Sequence, residues 1–224
     1  MAVGKRAERQ DYTQLNLLSS IIMYPEGPRK RAGKSKFYDV ERVIHRRKTR
    51  LDYEYLLKWV GWPYESCSWE QSENLTPYLL RSFNNPPKPS TMKLEAASCN
   101  CFCGIQKYLK GKSTNTIYID MELDLWRYIT YRKGMPSEHR GHTLFKKEDL
   151  IRFEGLPTHW WYYMNEHGEG MAVDFPLKIK AVLSWSCAHY YLNHGHAVKA
   201  ARFPVEKICV NIAKRPCNVR NLME

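Results

Sequence analysis

One segment of this 224-residue chain, residues 36–85, limits the possible folds more than any other. Its β-branched and aromatic residues predict two strands, at 38–44 and 53–60, joined by a charged turn. The sequence GWP at 61–63 ends the second strand, and residues 68–71 can supply a short third strand. These runs are close enough in sequence to form a small antiparallel sheet.

A helix start follows the third strand. The Thr76 hydroxyl can cap free amides, while Pro77 suits the first position of a helix. Three apolar residues then share one helical face, and the helix is expected to stop before the sequence NNPP at 84–87. We therefore predict an α+β module at residues 36–85, a three-stranded antiparallel sheet with a C-terminal helix.

The segments on either side of this module lack such a pattern. Residues 1–35 are polar, basic and broken by proline and glycine, which favours a disordered basic arm. Residues 86–120 hold proline-rich, serine-rich and lysine-rich stretches around the sequence CNCFCG, which favours a linker. We expect both segments to lie outside a core.

The second half is predicted as a poorly defined region of mixed α/β character. In region 121–175, Leu125, Tyr128 and Ile129 lie at helical spacing and predict a short helix. The aromatic run THWWYYMNEH, which follows a glycine-containing loop, predicts a strand. Residues 176–224 show short apolar runs without a clear period, so their fold stays undefined.

The charge balance points to a polyanionic partner. The chain carries 35 Lys and Arg against 23 Asp and Glu, a net charge of +12, which favours nucleic acid. Membrane is the competing polyanion, but the sequence has no long apolar run and no apolar secretory signal, so we expect a soluble intracellular protein without a membrane partner. The basic run between Arg29 and Lys36 suits a nuclear import signal, a DNA- or RNA-binding arm or a solvated tail.

Three aromatic residues of the small module provide more aromatic surface than its core needs. Tyr38 opens the first strand, Trp59 ends the second and Trp62 lies in the following turn, so hairpin pairing can bring their rings together. Composition alone favours ordinary core rings. Three converging rings also suit a methylated ammonium, which gains roughly 0.5 to 2 kcal/mol from each ring face.

The run FYDVERVIHRRKTRLDYEYLLKWVGWPYESCSWEQSENL resembles chromodomains over about a quarter of the chain. It matches the family pattern Y-x-V-E-x-I, then E-Y-L-x-K-W-x-G-[YW]-P, then W-E-x-x-x-N-L. The resemblance implies a methyl-lysine cage of Tyr38, Trp59 and Trp62, with Trp62 replacing the commoner tyrosine. It also implies a core position for Trp69.

In chromodomains the histone tail adds as a strand between the N-terminal segment and the stretch before the helix. The resemblance therefore implies a methylated histone H3 tail as partner, held partly through main-chain pairing. The expected peptide-binding residues are Phe37, Val40, Glu73, Asn74 and Thr76.

Two positions depart from the family pattern. Many members carry a glutamate four residues after the third cage aromatic, where this chain has Ser66 beside Glu65. This change is expected to weaken discrimination between methylation states. The proline usual after Trp69 and Glu70 is replaced by Gln71, which we expect to alter only the loop.

The segment at 126–171 resembles the approach to the catalytic region in suppressor-of-variegation histone lysine methyltransferases. That approach has a glycine-proline turn followed by an aromatic strand that ends in an Asn-Glu or Asn-Asp pair. The order of the two modules also agrees. The matching residues are Gly155, Pro157, Trp161, Tyr163, Asn165 and Glu166.

A working enzyme of that class would continue with a nine-cysteine zinc cluster and a SET domain carrying an Asn-His-Ser-Cys motif. This chain has seven cysteines, ends soon afterwards and shows only the sequence LNHGH at 192–196, which lacks the Ser-Cys continuation. We therefore predict no catalytic residues, no cofactor and no methyl transfer.

The cysteines and histidines are expected to hold no metal. Cys99, Cys101 and Cys103 are close in sequence, but three thiolates do not complete a zinc site and reduced thiols are the simpler interpretation. Cys187 and the histidines at 189, 194 and 196 follow no zinc spacing. The irregular set of seven cysteines also fits no disulfide framework.

These observations together predict a nuclear, heterochromatin-associated protein that recognises methylated lysine on histone H3 tails. A truncated or divergent histone H3 lysine methyltransferase is the first alternative, and binding of S-adenosylmethionine would distinguish it. An RNA-binding chromodomain is the second alternative, because exposed aromatic rings and net positive charge suit RNA. A salt titration would separate that alternative, since phosphate contacts weaken steeply with salt.

Overall fold

The computed structural model describes residues 21–22, 38–50, 52–112, 116–153, 156, 160–163 and 167–218. The chain divides into two compact units, residues 1–84 and 85–224. Several sequence-predicted residues lie outside the described residues, namely Phe37, the basic run at 29–36, Gly155, Pro157, Asn165 and Glu166.

The first unit is a small antiparallel sheet followed by a helix. Its strands lie in the order β1-β2-β3-β4, and helix α1 comes after two short 3-10 turns. The predicted hairpin, third strand and C-terminal helix are confirmed. The elements are β1 (Ile21–Ile22), β2 (Tyr38–Lys48), β3 (Tyr53–Trp59), β4 (Ser68–Gln71) and α1 (Pro77–Asn84).

Strand β1 was not predicted, because residues 1–35 were expected to be a disordered arm. Ile21 pairs with Asp39 and Ile22 pairs with Tyr38 in antiparallel register. The start of β2 would otherwise present an unpaired edge, which readily takes up another strand. The expectation of disorder is therefore wrong for Ile21–Ile22.

Helix α1 closes the first unit against the sheet. The Thr76 hydroxyl accepts a hydrogen bond from the Leu79 main-chain N–H at 3.3 Å, as the predicted cap requires. One face of the helix packs on one face of the sheet. The resulting core contains Val40, Val43, Tyr55, Leu57, Trp59, Leu75, Leu79 and Phe83.

The second unit is built on a larger sheet with strand order β5-β12-β9-β7-β6, in which β8 also pairs with β9. A separate two-stranded ribbon, β10–β11, lies between β9 and β12 in sequence. The elements are α2 (Thr91–Lys110), β5 (Ile117–Asp120), α3 (Leu123–Ile129), β6 (Met135–Pro136), β7 (Thr143–Phe145), β8 (Trp161–Tyr163), β9 (Glu169–Trp185), β10 (Tyr190–Asn193), β11 (His196–Lys199) and β12 (Pro204–Asn218). The helix near Leu125 and the aromatic strand are both confirmed.

The predicted linker at 86–120 is wrong, because most of it forms helix α2 and strand β5. Ser90 caps the helix by accepting a hydrogen bond from the Lys93 main-chain N–H. The buried stripe of α2 includes the small residues Ala97, Ser98 and Cys101 beside larger apolar residues. This mixture obscures the 3.6-residue apolar period in the sequence.

The tail at 176–224, for which no fold was predicted, contains most of the longest strand pair. Strands β9 and β12 pair from Pro204↔Trp185 to Asn218↔Glu169, with an irregularity between Asn211 and Ala213. Because the paired residues are far apart in sequence, no local sequence pattern predicted that the two strands would pair. In the part of the chain that the structure covers, no helix combines the length and apolarity needed to cross a membrane.

Candidate functional site

The rings of Tyr38, Trp59 and Trp62 meet at one end of the first sheet. The Tyr38 ring centroid lies 6.1 Å from that of Trp59 and 6.4 Å from that of Trp62, with interplanar angles of 71° and 72°. Together with Ser66 and Ser68, these rings line an open cavity of about 220 Å³. The sequence-predicted convergence of the three rings is therefore present.

Strand pairing and one tight turn place the rings. Val40 pairs with Trp59, and the Val60 N–H donates to the Asp39 carbonyl at 3.0 Å, which fixes the start of β2 beside the end of β3. Gly61 then adopts a φ of +74°, a left-handed backbone conformation that residues other than glycine rarely take. The turn brings Trp62 back towards Tyr38.

Lys58 holds this turn, a role that was not predicted from the sequence. Its ammonium donates to the main-chain carbonyls of Trp59 at 2.9 Å and Trp62 at 2.6 Å, and it pairs with the Glu41 carboxylate at 2.8 Å. The lysine is only 6% exposed. A lysine this buried requires partners, so its place within the apolar run YLLKW was an available signal.

The two tryptophans differ in burial. Trp59 is 7% exposed and belongs to the core, whereas Trp62 is 52% exposed. The Trp59 indole N–H donates to the Ser68 hydroxyl at 3.2 Å, and that hydroxyl donates to the Glu70 carboxylate at 2.6 Å. One ring is therefore a fixed wall, while the other stands largely in solvent.

The chemistry of this cavity favours a bulky, weakly hydrated cation. Ring faces attract cations through their quadrupoles, and the Glu70 carboxylate lies one hydrogen bond behind the Ser68 hydroxyl. The five lining residues include no carboxylate. A guest would therefore meet ring faces and hydroxyl groups rather than a direct ion pair.

The predicted peptide-binding residues have different surroundings. Val40 is 7% exposed and belongs to the core, so its predicted part in peptide binding would run through its main chain. Its inward direction follows from strand alternation. The Thr76 hydroxyl caps α1, while exposed Glu73 and half-buried Asn74 lie in the 3-10 turn Ser72–Asn74.

Strand β2 has both of its edges covered near the cavity. Strand β3 occupies one edge through the pairing of Val40 with Trp59. Strand β1 occupies the other edge at Tyr38 and Asp39. A strand has only two hydrogen-bonding edges, so any further strand at Tyr38–Asp39 must replace β1.

Trp69 is not a core residue, contrary to the expectation from the sequence. It is only half-buried and lies on β4, the edge strand of the sheet. The Arg47 guanidinium lies 4.2 Å from the Trp69 ring centroid, and the His45 ring centroid lies 6.3 Å from it. Polar and charged side chains of β2 therefore cover this ring in place of the core.

The thiols and histidines form no metal centre among the described residues, where no three His, Cys, Asp or Glu side chains come together. Cys99 and Cys103 lie one helical turn apart on α2, with their Sγ atoms 3.9 Å apart. Cys101 faces the core, and burial raises its pKa to about 12. The pKa of Cys103 is raised mainly by its hydrogen bond with the Cys99 thiol and, to a smaller extent, by the charge of Cys99.

The Chromo (chromatin organisation modifier) domain matches residues 38–85. These bounds coincide with strands β2 to β4 and helix α1, which carry the three rings and the turn. Residues 38–85 are a chromodomain. The short strand β1 lies before the matched segment.

Over a stretch longer than the chromodomain, the chain is similar to the N-terminal region of histone-lysine N-methyltransferase SUV39H2. The Mus musculus protein is 26% identical over 163 residues, covering 70% of this chain and 31% of that protein. The Homo sapiens protein is 27% identical over 172 residues, covering 70% of this chain and 37% of that protein. This chain thus spans about a third of those relatives' length.

A second kind of relative matches the chromodomain alone. Chromobox protein homolog hpl-1 of Caenorhabditis elegans is 49% identical over 41 residues, covering 18% of this chain and 22% of that protein. No solved structure matches the chain significantly. The similarities indicate a chromatin-associated protein.

Proposed function

We propose that this protein is a reader of methylated lysine on histone H3 tails, acting in the nucleus at heterochromatin. The observation that carries the proposal is the cavity of about 220 Å³ lined by Tyr38, Trp59 and Trp62. The similarity to a chromobox protein and to histone-lysine methyltransferases supports the histone partner. The three rings are the proposed methyl-lysine cage.

Trimethyllysine is the proposed guest of this cage. Methylation keeps the positive charge but weakens hydration, so the ammonium gains from each ring face. Monomethyl- and dimethyllysine keep N–H groups that need an acceptor, and unpaired donors lose binding energy. The cavity offers them no carboxylate, only the Ser66 hydroxyl and the Ser68 hydroxyl, which already bonds to Trp59 and Glu70. The change from the family's glutamate to Ser66 is therefore proposed to favour the trimethylated state, whereas the sequence alone indicated weaker discrimination between methylation states.

The tail itself is proposed to add as a strand at Tyr38–Asp39. Main-chain pairing would supply affinity without regard to sequence, while Glu73 and Asn74 would contact the tail from its other side. Because β1 already pairs at this edge, tail binding would replace Ile21–Ile22. The free energy of tail binding is then reduced by the free energy of releasing β1.

Trp62→Ala tests the cage most directly, because Trp62 is 52% exposed and its removal leaves the core intact. We expect affinity for the trimethylated H3 tail to fall about tenfold, equivalent to about 1.4 kcal/mol and within the range for one ring face. Calorimetry with H3 tail peptides, each trimethylated at one lysine, measures the loss. Thermal unfolding should stay unchanged.

Tyr78→Ala is the matched control, because it removes a 46% exposed ring from α1, outside the cavity lining. Its affinity for the trimethylated tail should equal that of the wild type. Equal binding of trimethylated and unmodified tails, or unchanged affinity in Trp62→Ala, would contradict the cage. Trp59→Ala is less informative, since Trp59 belongs to the core.

Nucleic-acid binding by the basic run at 29–36 is a separate prediction from the charge of the sequence. The run lies outside the described residues, and a salt titration of DNA or RNA binding measures its contribution. Methyl transfer is not part of the proposal, because the sequence lacks an Asn-His-Ser-Cys motif and a glycine-rich cofactor loop.

A further inference from the structure

The ribbon β10–β11 is a second exposed feature, distinct from the cage. Four residue pairs join its strands, from Tyr190↔Lys199 to Asn193↔His196. His194 and Gly195 form its turn, with φ values of 47° and 80°. Positive φ at both central residues is typical of the two-residue turns that join the strands of a β-hairpin. The ribbon pairs with no other described strand.

The first strand of the ribbon exposes three large apolar side chains in succession. Tyr190 is 65% exposed, Tyr191 is 52% exposed and Leu192 is 78% exposed. Successive residues of a strand point to opposite faces, so the two tyrosine rings stand on opposite sides of the ribbon. Three exposed apolar side chains in succession make the ribbon a candidate interaction surface.

The charge around the ribbon has one sign. Residues 175–205 contain no Asp or Glu, although the whole chain has 23. Of the four cations in this stretch, Lys199 lies on the ribbon and Arg202 follows it closely, while Lys178 and Lys180 lie on β9; three histidines are also present. Lys199 lies directly across from Tyr190 and shares its face.

We propose that a nucleic-acid single strand passes around the outer edge of β10, with one base stacked on Tyr190 and a phosphate close to Lys199 on one face, and a second base stacked on Tyr191 on the opposite face. Aromatic stacking combined with positive charge is the chemistry by which proteins hold single strands without sequence preference. A single strand offers free base faces, whereas a duplex has its bases already stacked. The absence of acidic residues from 175–205 favours this polyanion over a protein partner.

The test uses the full chain with a fluorescein-labelled oligouridine, followed by fluorescence anisotropy. We expect the double variant Tyr190→Ala, Tyr191→Ala to bind about tenfold more weakly or worse, because each stacked base depends on one ring. Lys199→Glu should weaken binding and lower the slope of log affinity against log salt by about one. Tyr78→Ala, which removes an exposed ring from the chromodomain, should bind as the wild type does.

Several results would overturn the proposal. These are no binding by the wild type, equal affinity of the double variant and the wild type, and equal affinity for a duplex. Loss of binding only when the basic residues at 29–36 are changed to glutamine would assign the nucleic acid to the arm instead. If the double variant does not fold, Lys199→Glu alone decides, since Lys199 is exposed at the ribbon surface.

Discussion

In the chromodomain, the rings of Tyr38 and Trp62 border an open cavity, whereas in the second unit Trp126 and Trp160 pack against other aromatic rings. Trp126 is 5% exposed, with its ring centroid 5.4 Å from that of Phe145. The same residue types thus stabilise one unit and line a candidate binding site in the other.

The difference arises from how each ring is held. Rings in the second core are held by neighbours on all sides, so their positions need no polar support. Trp62 has solvent on one side, and the turn that carries it is fixed by the Lys58 ammonium through the carbonyls of Trp59 and Trp62. An exposed ring can therefore keep a defined position when buried polar contacts hold its backbone.

Among the substitutions that compare buried with exposed rings, Trp126→Ala is expected to have the largest effect on stability. Removing a buried tryptophan typically costs about 3 to 5 kcal/mol, so the second unit should lose most of its stability. Urea unfolding followed by circular dichroism measures the change. Affinity for the trimethylated H3 tail should stay the same, because the cavity belongs to the other unit.

The control for this substitution is Trp185→Ala, which removes a 37% exposed ring from the end of β9. It should destabilise the second unit much less than Trp126→Ala does. If Trp126→Ala also abolished tail binding, the two units would not behave as separate ones.

The sequence predicted the chromodomain well because its signals are local. The hairpin, the Thr76 cap and the convergence of the three rings all depend on residues adjacent in sequence or on strand pairing across a short turn. Helix α2 was missed since its buried stripe includes Ala97, Ser98 and Cys101. The pairing of β9 with β12 was missed because it joins residues distant in sequence.

The site also contains contacts that the family pattern does not specify. Lys58 is the K of the pattern E-Y-L-x-K-W, but its role was missed because its partners, the carbonyls of Trp59 and Trp62 and the Glu41 carboxylate, meet it only in the folded structure. Trp69 was assigned to the core by resemblance, but the side chains of Arg47 and His45 cover it on an edge strand. Burial of a single ring depends on three-dimensional neighbours that a family pattern does not specify.

Trp69→Ala should have an intermediate effect, between those of buried and exposed rings. The substitution removes a half-buried ring and its cation–π interaction with Arg47. We therefore expect the free energy of unfolding to fall by about 1 to 2 kcal/mol. Thermal unfolding of the full chain measures it, with Trp59→Ala as the buried comparison. A loss of stability as large as that of Trp59→Ala would mean that Trp69 behaves as a core residue.

The smallest effect is expected at strand β1, where the double variant Ile21→Pro, Ile22→Pro should raise affinity for the trimethylated H3 tail about fivefold. Proline has no main-chain N–H to donate and disfavours strand pairing, so the edge at Tyr38–Asp39 becomes free. A net hydrogen bond contributes about 1 kcal/mol, which corresponds to this change in affinity. The control is Ile21→Ala, Ile22→Ala, which keeps both N–H groups and should show a smaller gain. Unchanged affinity in the proline variant would mean that the tail does not use the edge that β1 occupies.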